Sequence, residues 1–212
     1  MLTCEQAFPT RVAGVIRSDD PDAAFHACVA ALEGGIGTIE VTMTVPSCLD
    51  IVHGLVASMG GRVPVGVGTV WEPETVSAAV DAGAAFVVTP TVLPEVAEAC
   101  AREDVLCVLG ALSPSEVHQA RMCGANLVKI FPVQSLGGPD YVRWLRGPMP
   151  DAPLWVSGGV EIDQIEEYLS LGVAAIGLTT ALFPQDAVRL GDTTRVTALA
   201  RRAAMAAGAL WA

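Results

Sequence analysis

Eight short runs rich in β-branched residues punctuate this chain, and their starts lie 20 to 26 residues apart. They cover residues 12–16, 38–42, 63–67, 85–89, 105–109, 127–131, 153–157 and 174–178. Runs of this kind read as strands, and the spacing leaves room for a crossover helix each time, which makes neighbouring strands parallel. The intervening segments carry helix signals. Asp20 is placed as an N-cap with Pro21 at the first helical position, and Gly34 and Gly35 close that segment. Gly83, Gly124 and Gly172 end the segments 73–82, 113–123 and 162–171, each followed by Ala or Val before the next strand.

Eight consecutive units predict an α/β fold, a closed (β/α)8 TIM barrel, although about 250 residues is the usual size. An open doubly wound sheet is the competitor. It typically has six strands and a G-x-G-x-x-G after the first, and no such motif stands here. With 212 residues and no linker or low-complexity tract, the expectation is one barrel domain over 1–212, with a terminal helix over 193–208.

Composition narrows the function classes. At 52% hydrophobic the chain is too apolar for intrinsic disorder. The longest charge-free run, 168–185, is 18 residues and contains Pro184 and several polar side chains, short of the ~20 apolar residues that span a bilayer, so no membrane partner is expected. The N-terminal residues show no basic stretch followed by an apolar one, so a cytoplasmic location is expected. Twelve basic against 23 acidic residues give a net charge of -11, with scattered arginines, which argues against nucleic acid. Six cysteines without a CxxC pair read as small buried apolar groups in a reducing compartment.

In a barrel, chemistry sits at the C-terminal ends of the strands. Two charges interrupt otherwise apolar runs: Glu40 in TIEVT and Lys129 in LVKIF. Alternation turns Thr38, Glu40 and Thr42 to one face and Ile39 and Val41 to the other; it puts Lys129 with Leu127 and Phe131. With the apolar set facing the helices, both charges point at the barrel axis. They form either a buried salt bridge that only holds the barrel or a reactive pair. Lys129 is the only lysine in the chain. An ion pair could equally use arginine, whereas amine chemistry cannot, because a guanidinium stays protonated. A lone inward lysine beside a carboxylate suits Schiff-base catalysis, with the carboxylate moving protons.

The other strand ends are small and polar. Strand three ends in G-x-G-T-V, which predicts Thr69 in register with inward Val65 and Val67. Strand seven ends in Ser157, Gly158 and Gly159, whose backbone N–H groups either hold an anion or only make a tight turn. Gly137 and Gly138 are a second such pair. Arg17, just past strand one, either meets a substrate anion or is a solvated loop residue beside Asp19 and Asp20. His26, His53 and His118 fall within helical segments and are not expected as catalysts or ligands; Met43, Phe131 and Trp155 are expected as pocket wall or core.

These motifs carry a resemblance. IEVT (39–42), VGVGTV (65–70), FVVTP (86–90), GANLVKIFPVQSLGG (124–138), SGGV (157–160) and GLTTALFP (177–184) stand in the order found in class I aldolases. Residues 12–184 resemble the 2-keto-3-deoxy-6-phosphogluconate (KDPG) / 4-hydroxy-2-oxoglutarate (KHG) aldolase family. The resemblance implies a (β/α)8 barrel, usually a homotrimer, that reversibly cleaves a 2-keto-4-hydroxy acid to pyruvate and an aldehyde, glyceraldehyde 3-phosphate or glyoxylate. It implies Lys129 as the Schiff-base lysine and Glu40 as the acid/base. Thr69, Pro90 and Phe131 match its pocket residues. Ser157, Gly158, Gly159 and Thr180 match its phosphate-holding groups.

Departures from the pattern stand at Thr44, where the family commonly has a carboxylate-binding arginine that Arg17 could replace, and at Thr91, Leu109 and Thr179. Thr179 adds a side chain near the phosphate end. The alternative function is a phosphate-binding isomerase or epimerase in which Glu40 abstracts a proton without a covalent adduct; a non-catalytic barrel is the third reading. No cofactor and no metal are expected, because an iminium is itself an electron sink.

Overall fold

A computed structural model describes residues 2–208. Eight strands close into a barrel in chain order, each parallel to both neighbours. They are β1 (Val12–Ile16), β2 (Thr38–Thr42), β3 (Val65–Gly68), β4 (Phe86–Val88), β5 (Leu106–Ala111), β6 (Leu127–Ile130), β7 (Leu154–Ser157) and β8 (Ala175–Leu178). The (β/α)8 expectation holds, with β1 and β2 at the expected residues and the other six strands shifted at one or both ends by one or two residues.

A short helix, α1 (Cys4–Ala7), precedes β1. Between the strands run α2 (Pro21–Glu33), α3 (Cys48–Ser58), α4 (Glu74–Asp81), α5 (Pro94–Arg102), α6 (Pro114–Met122), α7 (Pro139–Arg146) and α8 (Ile165–Ser170). After β8 come α9 (Gln185–Leu190) and α10 (Thr193–Gly208). Asp20 caps α2 as expected, accepting from the N–H groups of Asp22 and Ala23. The helix expected over 162–171 is instead a 3-10 turn, Ile162–Gln164, leading into α8. Gly83, Gly124 and Gly172 all have positive φ, the left-handed conformation that ends a helix.

Two layers of apolar side chains result. The larger lies between strands and helices and includes Ile39, Val41, Val128 and Ile130. The smaller fills the barrel and includes Val15, Phe86, Leu127 and Trp155. Phe8, just past α1, plugs the N-terminal end: its ring centroid lies 5.0 Å from those of Phe86 and Trp155. The floor of the barrel is therefore aromatic and closed, which leaves the C-terminal end open for chemistry.

The facing of β3 corrects the sequence reading. Val65 and Val67 pack in the outer layer, while Gly66 and Gly68 face inward, where a Cβ would strike the Phe86 ring and the Glu40 side chain, respectively. The reason is space: larger groups from β4 and β2 already occupy that part of the interior. Cysteines follow expectation at four of six positions. Cys28, Cys48, Cys100 and Cys107 are buried, whereas Cys4 and Cys123 are half-buried. Burial pushes the Cys48 thiol up to about 12, which keeps it unreactive.

Candidate active site

Period-two alternation in β2 and β6 brings Glu40 and Lys129 into the barrel from opposite sides. Lys129 Nζ donates to both Glu40 oxygens, each at 3.2 Å. Glu40 is fully buried and the Lys129 side chain is 7% exposed. In so dry a place each charge needs the other, because an unpaired ion there would cost several kcal/mol. Two aromatic rings complete the surround of the amine, with centroids 5.2 Å away for Trp155 and 5.7 Å for Phe131. Their faces attract a cation and exclude water.

A second cluster forms where β1, β2 and β3 end. Arg17 donates from Nη1 to Thr44 Oγ1 and from Nη2 to Thr69 Oγ1, both at 3.1 Å. Thr42 gives its one hydroxyl hydrogen to the Ile16 carbonyl at 3.0 Å, so in its 2.8 Å contact with Thr44 it must accept. Hydrogen bonds thus run from the guanidinium through two hydroxyls into the barrel wall. Thr69 has φ 61, a conformation that costs a β-branched residue about 1–3 kcal/mol and persists where the surroundings impose it. The turn aims its hydroxyl at Arg17. Arg17 is therefore no freely solvated loop residue, and the arginine missing at Thr44 has a guanidinium in hydrogen-bond contact with that position.

The remaining candidates ring the mouth. Thr89 donates to the Thr91 carbonyl at 2.5 Å and accepts from the Gly110 N–H at 3.3 Å. This holds Pro90 close over β5: a Cβ on Gly110 would sit 2.2 Å from the Pro90 oxygen. Ser157 is buried and donates to the Gly177 carbonyl at 3.1 Å, so its hydrogen is already engaged. Gly158 and Gly159 have φ 90 and 84, which only glycine adopts readily. Among the described residues, no backbone carbonyl accepts from either N–H. Thr179 is half-buried and Thr180 exposed. A cleft of about 1040 Å³ opens beside the mouth, lined by Arg17, Thr44, Thr180, Gln185 and Arg189 among others. The Glu40–Lys129 pair does not line it. Gly138 instead gives its N–H to the Val133 carbonyl, as part of a turn.

Comparison with known proteins matches the family model described as KDPG and KHG aldolase over residues 5–199. The chain belongs to the KDPG and KHG aldolase family. Among relatives of this aldolase, the 2-dehydro-3-deoxy-phosphogluconate aldolase of Pseudomonas aeruginosa is 33% identical over 175 residues, 82% of this chain and 79% of the relative. The 2-dehydro-3-deoxy-6-phosphogalactonate aldolase of Escherichia coli is 28% identical, covering 87% of each chain. A crystal structure of a KDPG aldolase from Legionella pneumophila, with pyruvate captured as a covalent carbinolamine, superposes with a TM-score of 0.83. It is 27% identical and the match covers 93% of this aldolase and 95% of that chain.

Three groups at the aldolase's site escaped the sequence reading. The expectation of Trp155 as wall or core does not include its place beside Lys129. Thr42 was noted only for its face. Gly68 was set on the wrong face of β3, though the alternating Gly66 and Gly68 were a signal that one side of that strand had no room.

Proposed function

We propose that Lys129 is the Schiff-base nucleophile of this class I aldolase and Glu40 its proton-transfer group. The 3.2 Å bidentate contact of the chain's one lysine with a buried carboxylate carries this reading. The amine attacks the C2 carbonyl of a 2-keto-4-hydroxy acid, giving a carbinolamine that loses water to become an iminium. Loss of the C4 hydroxyl proton then breaks the C3–C4 bond. The electron pair flows into the iminium, leaving an enamine and releasing the aldehyde. Glu40 returns a proton to C3, and water frees pyruvate and the amine. The iminium takes up the electron pair that would otherwise need a carbonyl polarised by a Lewis-acid metal, so no cofactor is needed and turnover is expected to persist in excess chelator.

Arg17 with Thr69 supports the binding of an anionic end of the substrate, with Pro90 and Phe131 walling the reacting carbons. The free N–H groups of Gly158 and Gly159, beside Thr179 and Thr180, favour a phosphorylated aldehyde half, with Ser157 supporting the turn. The substrates proposed are 2-dehydro-3-deoxy-6-phosphogluconate and 4-hydroxy-2-oxoglutarate, yielding glyceraldehyde 3-phosphate or glyoxylate with pyruvate. No described helix is long and apolar enough to cross a membrane, and a cytoplasmic homotrimer is proposed, in keeping with the family resemblance.

The test is borohydride reduction in the presence of pyruvate, with peptide mass mapping. A reduced pyruvyl adduct on Lys129 is expected; turnover of a sugar phosphate without any adduct would favour the isomerase alternative. Comparing kcat/KM for phosphorylated and non-phosphorylated acids then tests the anion site. A preference of about tenfold per retained charge-assisted contact is expected, and equal efficiency would make the two glycines only a turn.

A further inference from the structure

We infer that Gly68 is a positioning residue for Glu40: the missing side chain is what lets the carboxylate reach Lys129. The inference rests on Glu40 being the proton-transfer group proposed above. Gly68 ends β3, paired with Thr42 of β2. Its φ lies outside the left-handed region, unlike those of Gly158 and Gly159, so the backbone itself does not require glycine there. Glycine weakens a strand interior, and its presence in ordinary strand conformation has a steric cause. A Cβ on Gly68 would lie 1.9 Å from Glu40 Oε1, 2.5 Å from Cδ and 2.7 Å from Cγ. At Gly66 the obstacle is the rigid Phe86 ring, a matter of packing alone. At Gly68 it is the end of a flexible side chain that carries the chemistry.

An added methyl group is therefore absorbed by rotation of Glu40 rather than by opening the barrel. Glu40 is fully buried, with no solvent to move into, so rotation takes the carboxylate off Lys129. The step affected is proton exchange at the pyruvyl iminium. There Glu40 takes a methyl proton, the C–H pair becomes the C=C bond, and the C=N pair returns to nitrogen as the neutral enamine forms. A base displaced by about 1 Å loses about 10²-fold in rate.

The experiment uses the intact protein and pyruvate in D2O, reading methyl deuteration by NMR, end-point borohydride capture and aldol cleavage. For Gly68→Ala, thermal unfolding near wild type is expected, with capture on Lys129 retained. Deuteration and kcat should fall about 10- to 100-fold. In a Glu40→Ala background all three colliding atoms are gone, so adding Gly68→Ala should cost the residual deuteration and cleavage less than about threefold more, the non-additivity of a direct contact. If Gly68→Ala alone does not fold, the double variant should. Wild-type deuteration in folded Gly68→Ala, equal losses in both backgrounds, or failure of both variants to fold would overturn the inference while leaving the Schiff-base reading intact. Absence of any pyruvate adduct in the wild-type protein would instead remove that reading and the inference with it.

Discussion

Lys129 Nζ lies 3.2 Å from each carboxylate oxygen of Glu40, although 89 residues separate the two in the chain. Replacing either residue tests a different half of what this contact does.

Lys129→Arg keeps a cation opposite Glu40 but supplies no free amine, since a guanidinium stays protonated. Folded protein should persist. Aldol cleavage should fall by orders of magnitude and borohydride capture of pyruvate should vanish. Near-normal kcat/KM in purified, folded variant would remove the nucleophile assignment.

Glu40→Gln keeps the shape and a hydrogen-bond acceptor for the amine while removing proton transfer, a contribution of about 10²- to 10⁴-fold in rate. Stability should change little, because an amine, unlike a guanidinium, can be held neutral when its counter-charge goes. Thermal unfolding and kcat measured on the same preparation separate the outcomes. A large loss of folded protein with full specific activity in the remainder would mean that the pair only holds the barrel together.

Arg17→Ala removes the guanidinium that spans Thr44 and Thr69. A hydrogen bond to a charged group is worth about 1.5–3 kcal/mol, so KM for the keto acid should rise about 10- to 100-fold with kcat little changed. Thr69→Ala, which removes one of the two hydroxyls holding Arg17, should give a smaller rise in the same direction. An unchanged KM in Arg17→Ala would leave the anion to other groups.

The α6 capping box offers a test of stability against pH. The Ser113 hydroxyl first, then the N–H groups of Leu112 and Ser113, hold the Glu116 carboxyl below its ordinary value of 4.5. The ionised form is what these donors stabilise. Its contribution is complete above the ordinary glutamate value and is lost as pH falls through the lower folded-state value. The stability difference between wild type and Glu116→Gln, from urea unfolding, should be constant near neutrality and shrink below about pH 4.5. Ser113→Ala should cost about 0.5–2 kcal/mol at neutral pH. A difference that grows on acidification would contradict the assignment.

The spacing of the eight apolar runs and the alternation within β2 and β6 were enough to read the barrel and to turn Glu40 and Lys129 inward. Both are local properties: a helix needs a set number of residues between strands, and side chains in a strand alternate whatever lies around them. The cap at Asp20 and the glycine exits at Gly83, Gly124 and Gly172 were legible for the same reason. The inward face of β3 was not. A strand buried on both sides shows no contrast between apolar and polar faces, and only the Phe86 ring and the Glu40 side chain, arriving from neighbouring strands, decide that Gly66 and Gly68 point inward. Arg17, Thr44 and Thr69 likewise meet only because three consecutive strands end side by side. The distance between Glu40 and Lys129 is of this second kind, since it depends on the closure of the whole barrel, a sum of strand pairings that no segment of the chain contains.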